Sequence, residues 1–248
     1  MMRARLIPVL LLDRDKRLVK TVKFGERTYI GDPFNVIRLF NEKEVDEICL
    51  LDIDASVDGR TADVGFIAEL AAECFMPLSY GGGLNGAAPI DRLARNGVEK
   101  FIVGHEQDNH DFLLSLVAEY GSQAVVGCVD YRSDGVYSRS GRERRSGSPL
   151  ERARQLTEIG VGEIILQSIE RDGVQTGMDL ETICTVSPQL DVPVVALGGA
   201  GTVAHLEAAL ACASAAASGS AFSFIGRLRA VLITYPTIHN FPPEAAHA

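Results

Sequence analysis

Apolar and polar positions alternate along this chain in two kinds of segment. Short runs rich in Val, Ile, Leu and Ala occupy 6–12, 48–53, 77–80, 100–103, 124–130, 163–168, 193–197 and 214–218. Runs of that length with little polar interruption predict strands buried on both faces. Between them, 33–43, 62–74, 87–96, 109–119, 149–159, 179–186 and 202–212 repeat apolar residues at helical spacing, which predicts amphipathic helices. Pro33 and Pro149 sit where helix N-termini are expected. Eight strands alternating with helices predict a (β/α)8 barrel, one domain over 1–248. An open doubly wound sheet is the competing architecture, but no GxGxxG follows the first strand. The last unit is atypical. Residues 226–236, GRLRAVLITYP, lack an amphipathic pattern, so the eighth helix is expected to be short, displaced or absent. The tail 237–248 is expected to be mobile.

An internal repeat sharpens the barrel prediction. VDEICLLDIDASVDGR (45–60) parallels VGEIILQSIERDGVQTG (161–177), and FMPLSYGGGL (75–84) parallels DVPVVALGGAG (191–201). Glu47 and Glu163, like Pro77 and Pro193, are 116 residues apart. Two half-barrels are therefore expected, near 1–120 and 121–236. Extending the repeat sets Leu11 against Asp130, since each ends the first strand of its half.

Composition narrows the function. Apolar residues make up 46% of 248 positions, and the net charge is −9, which disfavours non-specific nucleic-acid binding. Arg142, Glu143, Arg144 and Arg145 form one locally basic stretch that leaves room for an anion site. Five dispersed cysteines suggest no disulfide framework and no metal site, and Cys49 and Cys128 read as small buried hydrophobes. No apolar run is long enough for a membrane span and no signal peptide is evident, so a cytoplasmic location is expected.

In such a barrel the chemistry belongs at the C-terminal strand ends. Three glycine clusters fall there: Gly81, Gly82 and Gly83; Gly198, Gly199 and Gly201; and Gly219 with Ser220. Glycine lets backbone N–H groups approach an anion closely, and grips in both halves suit a ligand with an anion at each end. Tight turns alone would also account for any one cluster. Asp130 ends the apolar strand AVVGCVD and is a candidate general acid or base, or a loop anchor. Asp52, Asp54 and Asp172 are further rim acids. Gly104 and His105 follow strand four, with His105 either at an anion site or capping a helix. The other histidines show no metal-ligand spacing, and no cofactor is expected. At the opposite rim Arg5, Glu47, Lys100 and Glu163 precede four strands. They predict a ring of alternating charge, either a structural plug or a gate for something small.

Several of these stretches together carry a family resemblance. RLIPVL, GDP at 31–33, DEICLLDIDAS, MPLSYGGGL, YGSQAVVGCVD, GVGEIILQSIERDG and PVVALGGAG are similar to the cyclase subunit of imidazole glycerol phosphate synthase. The resemblance implies a half-barrel repeat whose floor docks a glutaminase. Ammonia would travel up the barrel to a bisphosphate substrate, which cyclises to imidazole glycerol phosphate and releases an aminoimidazole carboxamide ribotide. It also implies that Arg5, Glu47, Lys100 and Glu163 are the gate and that Asp130 is one of two catalytic aspartates. Gly83, Asp172, Gly173, Gly199 and Ser220 would belong to the substrate and phosphate region, with Gly82, Gly104, His105, Gly198 and Gly219 beside them.

The departures gather at the mouth. Leu11 stands where the resemblance puts the second aspartate, Gly104-His105 where it puts Asn-Thr, and Gln167 where it puts threonine. The gate positions are intact. IPVLLL, NEKEVDEI, ECFMPLSYGGGL and RLRAVLITYP also resemble a divergent branch associated with surface-polysaccharide genes. That branch implies ammonia passed to a separate sugar amidotransferase, turning an acetamido into an acetamidino sugar. A true cyclase of histidine biosynthesis and a non-catalytic scaffold that activates its glutaminase are the alternatives.

Overall fold

The computed structural model describes residues 4–104, 106–225 and 230–236. Eight parallel strands close on themselves: β1 (Arg5–Leu12), β2 (Ile48–Asp52), β3 (Leu78–Gly81), β4 (Lys100–Val103), β5 (Val125–Arg132), β6 (Glu163–Ser168), β7 (Val194–Leu197) and β8 (Ala215–Ser218). The β8–β1 pairing, Arg5 with Ala215 through Pro8 with Ser218, shuts the cylinder. Helices α1 (Pro33–Glu42), α2 (Val64–Ala72), α3 (Ala87–Arg95), α4 (His110–Tyr120), α5 (Pro149–Ile159), α6 (Leu180–Val186) and α7 (Val203–Leu210) follow strands one to seven. This is a (β/α)8 barrel. Its elements match the sequence-predicted ones to within about three residues at each end. Pro33 and Pro149 open their helices, the latter inside a Ser148–Glu151 capping box.

Strand alternation sorts the apolar residues into two layers. One set, including Leu10, Leu50, Tyr80, Phe101, Val129 and Leu166, packs outward under the helices. The other, including Ile7, Val9, Leu11, Cys49, Ile102, Cys128 and Ile165, fills the barrel.

The sequence repeat has a backbone counterpart. Ile48 N–H donates to Pro77 O at 2.9 Å, and Ile164 N–H to Pro193 O at 3.0 Å, a shift of 116 residues on both partners. Leu51 pairs with Gly81 as Gln167 pairs with Leu197. Leu11 faces Leu51 across β1–β2, and Asp130 faces Gln167 across β5–β6.

Two hairpins were not predicted. After β1 the chain reverses at Asp13, and Leu18–Thr21 returns antiparallel, with Leu11 beside Val19. Arg27–Gly31 pairs with that return strand and completes a flap over the mouth. After β5, Gly135–Ser138 and Glu143–Arg145 form a second flap. A one-turn helix, Ala55–Asp58, follows β2.

The sequence expectation for 226–236 falls partly outside the described residues, which leave out 226–229. Beyond β8, Phe224–Ile225 pairs with Ala230–Val231, and no helix follows among the described residues. An extended stretch then runs down the barrel wall. Its Tyr235 hydroxyl donates to Leu6 O at 3.1 Å and accepts from the Asp46 N–H at 3.1 Å. The expectations for His105 and for the tail 237–248 lie outside the described residues.

One expectation is corrected. Cys184 in α6 and Cys212 after α7 form a disulfide, with Cα atoms 5.0 Å apart. Adjacent helices bring together two cysteines that sequence spacing had left unrelated.

Candidate functional site

At the N-terminal end of the barrel the four charged residues close into a ring. Arg5 donates to Glu47 Oε2 at 2.7 Å and also to Glu163. Lys100 Nζ donates to Glu47 Oε2 and to Glu163 Oε2, both at 2.8 Å. Each cation touches both anions. That mutual pairing offsets the cost of burying two carboxylates that are 4% and 5% exposed. Burial raises the Glu163 carboxyl, but the hydrogen bonds and charges of Arg5 and Lys100 outweigh it and hold its pKa below the ordinary value. Burial lowers the Arg5 guanidinium, and Glu163 and Glu47 more than restore it.

Directly above the ring lies a void of about 10 Å³, lined by Glu47, Glu163, Ile7, Cys49, Ser79 and Ile102 among others. It is the size of roughly one water molecule. Ile102 also lines the main mouth cavity, and Leu197 a smaller one. The void therefore sits on the line from floor to mouth.

At the mouth the two halves of the repeat differ. Asp130 is half-buried and accepts the Cys128 thiol at 3.3 Å. Burial pushes its carboxyl up to about 7, and the charge of Asp172 acts in the same direction. The equivalent Leu11 is 8% exposed and belongs to the interior apolar cluster. Asp13 does not replace it. Its carboxylate accepts the N–H groups of Asp15 and Arg17, each at 3.0 Å, and the Arg17 guanidinium at 2.9 Å. That acid is committed to the turn that launches the first flap.

The glycines form two matched cradles. Gly82 and Gly198 both have positive φ, 115° and 99°. A Cβ on either would strike the preceding strand's end, 2.4 Å from Asp52 O or 2.6 Å from Ser168 O. Only glycine fits either position. Gly83 and Gly199 continue the two turns at φ 65° and 101°. Ser218 Oγ accepts the N–H groups of Ser220 and Ala221 at 3.1 and 3.0 Å, which orders the Gly219 turn. The buried Gln107 donates to Val103 O at 2.8 Å and holds the turn at Gly104.

Sequence reasoning missed Lys20. The first flap swings it into the β7–β8 cradle, where Nζ donates to Val9 O at 2.6 Å beside Gly219, Ser220, Gly173 and Asp172. Burial lowers its ammonium to about 7, against the pull of Asp172. The only sequence signal was a lysine inside the otherwise β-prone LVKT. Asp172 accepts the Thr21 hydroxyl at 2.6 Å, and its backbone carbonyl accepts Lys23 N–H, so it latches the same flap. Asp54 is likewise a latch, taking both Arg27 amines at 2.6 Å. Asp52 accepts the Ala55 N–H at 2.9 Å and pairs with Arg60. These rim acids mainly fix loops. The main mouth cavity measures about 310 Å³. Among the described residues no cluster of three His, Cys, Asp or Glu side chains is disposed to hold a metal ion. No helix among them is long and apolar enough to cross a membrane.

Residues 5–228 match the family model described as histidine biosynthesis protein. A Pseudomonas aeruginosa protein provisionally named imidazole glycerol phosphate synthase subunit hisF2 is 47% identical, over 97% of this chain and 98% of its own. A Leptospira borgpetersenii protein, provisionally named as subunit HisF of the same synthase, is 41% identical over 95% and 96%. Subunit HisF of imidazole glycerol phosphate synthase from Chlorobium phaeovibrioides is 36% identical over 83% and 84%.

Proposed function

The chain belongs to the histidine biosynthesis protein family, among the HisF-like subunits of imidazole glycerol phosphate synthase, and on that premise we propose that it is an ammonia-conducting subunit paired with a glutaminase. In this reading the glutaminase docks on the N-terminal face, over Arg5, Glu47, Lys100 and Glu163. Ammonia enters through the ring, crosses the water-sized void, and emerges at Asp130 and Gln167. Confinement keeps its local concentration high, a proximity effect. The ammonia then serves amidation of a sugar in surface-polysaccharide assembly, through a separate sugar amidotransferase.

The observation that carries this reading is the split between floor and mouth. The ring is complete, with every cation on both anions. Above it, Leu11 is buried apolar packing where the repeat sets a counterpart to Asp130. A leucine cannot exchange a proton, and losing one of two acid–base groups costs roughly 10²–10⁴-fold in rate. Conduction needs the floor and the bore but not a second carboxylate.

Cyclase chemistry remains the second reading, favoured by the two cradles and by an Asp130 carboxyl held at about 7, suited to proton transfer at neutral pH. The conduction reading is tested by reconstituting the chain with its glutaminase. Lys100→Ala is expected to keep the barrel folded and to uncouple glutamine hydrolysis from ammonia delivery. Coupling identical to wild type would remove the ring from the path.

A further inference from the structure

Two cysteines meet on the outer wall of the barrel, at its N-terminal end. Cys184 lies two residues before the end of α6, and Cys212 two residues beyond α7. The other cysteines are free thiols, with Cys49 and Cys128 buried and Cys74 half-buried. Cys184 is exposed and Cys212 half-buried. A barrel with so large an apolar core does not need a staple, which is a device of small domains. Exposed disulfides are also the ones that thiols reach and reduce. The two helices hold the pair together without the bond. Ile183 and Val186 seat α6, and Leu206 and Ala209 seat α7, all four buried in the outer apolar layer. A reduced pair therefore stays poised to close again.

The bond is connected to one side of the charged ring. From Cys212 the chain runs two residues to Ser214, whose N–H donates to Val194 O at 3.0 Å. The preceding carbonyl, Pro193 O, accepts the Ile164 N–H at 3.0 Å, and Ile164 follows Glu163. Two backbone hydrogen bonds thus link the sulfur pair to a carboxylate that meets both Arg5 and Lys100. The first half repeats this connection without the bond. Glu99 N–H donates to Leu78 O and Ile48 N–H to Pro77 O, both at 2.9 Å, beside Glu47. There the matched positions hold Ala68 and Gly97. The cross-link is confined to the Glu163 side, so opening it slackens that side alone.

We propose that Cys184–Cys212 is a reversible dithiol–disulfide site that sets how firmly the Glu163 side of the ring is held. The thiolate of an external dithiol attacks Cys184 Sγ, and the Cys184–Cys212 bond breaks. Cys212 leaves as a thiolate and takes up a proton. The second thiol of the reductant then displaces Cys184, which is protonated in turn. The reductant departs as a disulfide, and the two cysteines hold its two electrons and two protons. The oxidised form keeps Glu163 against Arg5 and Lys100, and the reduced form loosens it. This regulation rests on the conduction reading, in which the ring admits ammonia.

Hydrogen exchange on the full chain tests it, before and after dithiothreitol, after reoxidation with oxidised glutathione, and in Cys184→Ser without reductant. Alkylation and mass measurement should find new thiols at Cys184 and Cys212 after mild reduction and none after reoxidation. In the reduced chain and in Cys184→Ser, the Ser214 and Ile164 amides are expected to exchange roughly tenfold faster. The Glu99 and Ile48 amides should keep their rates. A bond that resists dithiothreitol in the folded chain, a chain that unfolds on reduction, unchanged exchange, or equal acceleration in both halves would each overturn the proposal. Reconstituted with the glutaminase after the reductant is removed, the reduced chain should couple glutamine hydrolysis to delivery several-fold less well. Coupling indifferent to redox state but lost in Lys100→Ala would overturn the regulation and leave conduction standing. Coupling indifferent to Lys100→Ala would instead fail the conduction reading, while the exchange rates still judge the site.

Discussion

Two ionisable groups at the mouth, the half-buried Asp130 and the buried Lys20, pull against each other. Asp130 is raised from an ordinary 3.8 to about 7. Below the unfolded value both states hold the proton. As pH rises toward 7 the unfolded chain releases it first, so the folded state loses relative stability. Asp130→Asn removes that loss. Its stabilising effect should be near zero at about pH 4 and reach a plateau on the order of 2–4 kcal/mol above about pH 7. Lys20 is lowered from 10.5 to about 7, so its penalty is full below 7 and fades as pH climbs to the unfolded value. Lys20→Met should therefore stabilise most at acidic pH and least near about pH 10.5. Urea unfolding of both variants across that range measures the two opposed profiles. Flat differences would mean that neither group is held as described. Asp130 was conspicuous in the sequence because a charge ends an apolar strand. Lys20 was not, because its burial depends on a flap that no local pattern announces.

At the scale of elements, the Cys184–Cys212 bond ties the end of α6 to the segment between α7 and the start of β8, on the face opposite the β7–β8 cradle. It closes a sequence separation of 28 residues. By chain entropy its loss should cost about 3–4 kcal/mol. The exposed Cys184 makes it open to reductant. A fall in melting temperature with dithiothreitol, reproduced by Cys184→Ser without reductant, checks the bond. An unchanged midpoint would contradict it. The barrel strands were legible because parallel strands buried on both faces are nearly continuous apolar runs. The flaps were not. LVKT, RTYIG, GVYS and ERR are three to five residues long and mix polarity, and their pairing depends on β1 and β5 already standing beside them. Disulfide connectivity is equally silent in sequence. The matched cradles were visible as glycine clusters, but the reason for glycine emerged only with the strand ends packed against Gly82 and Gly198.

Across the whole molecule, the N-terminal face carries both the ring and the most exposed of the described large apolar side chains. Phe75, in the loop between α2 and β3, is 86% exposed. An exposed aromatic on the same face as the charged ring is a natural anchor for a docking partner. Phe75→Ala should leave the melting temperature unchanged and weaken glutaminase association by about 2 kcal/mol, roughly 30-fold in Kd. Unaltered affinity would place the partner elsewhere. The opposite face carries both cradles and Asp130, with the apolar Leu11 at the position that the repeat sets against that acid. Floor and mouth are thus separable, and the reading of this chain as a conduit rests on that separation. The most direct test is cyclase turnover by the isolated chain, supplied with free ammonium and the bisphosphate substrate of imidazole glycerol phosphate synthase. Wild type is expected to show no turnover above background, with Leu11→Asp gaining a measurable rate. Wild-type turnover that Asp130→Asn abolishes would contradict the account and make the protein a cyclase.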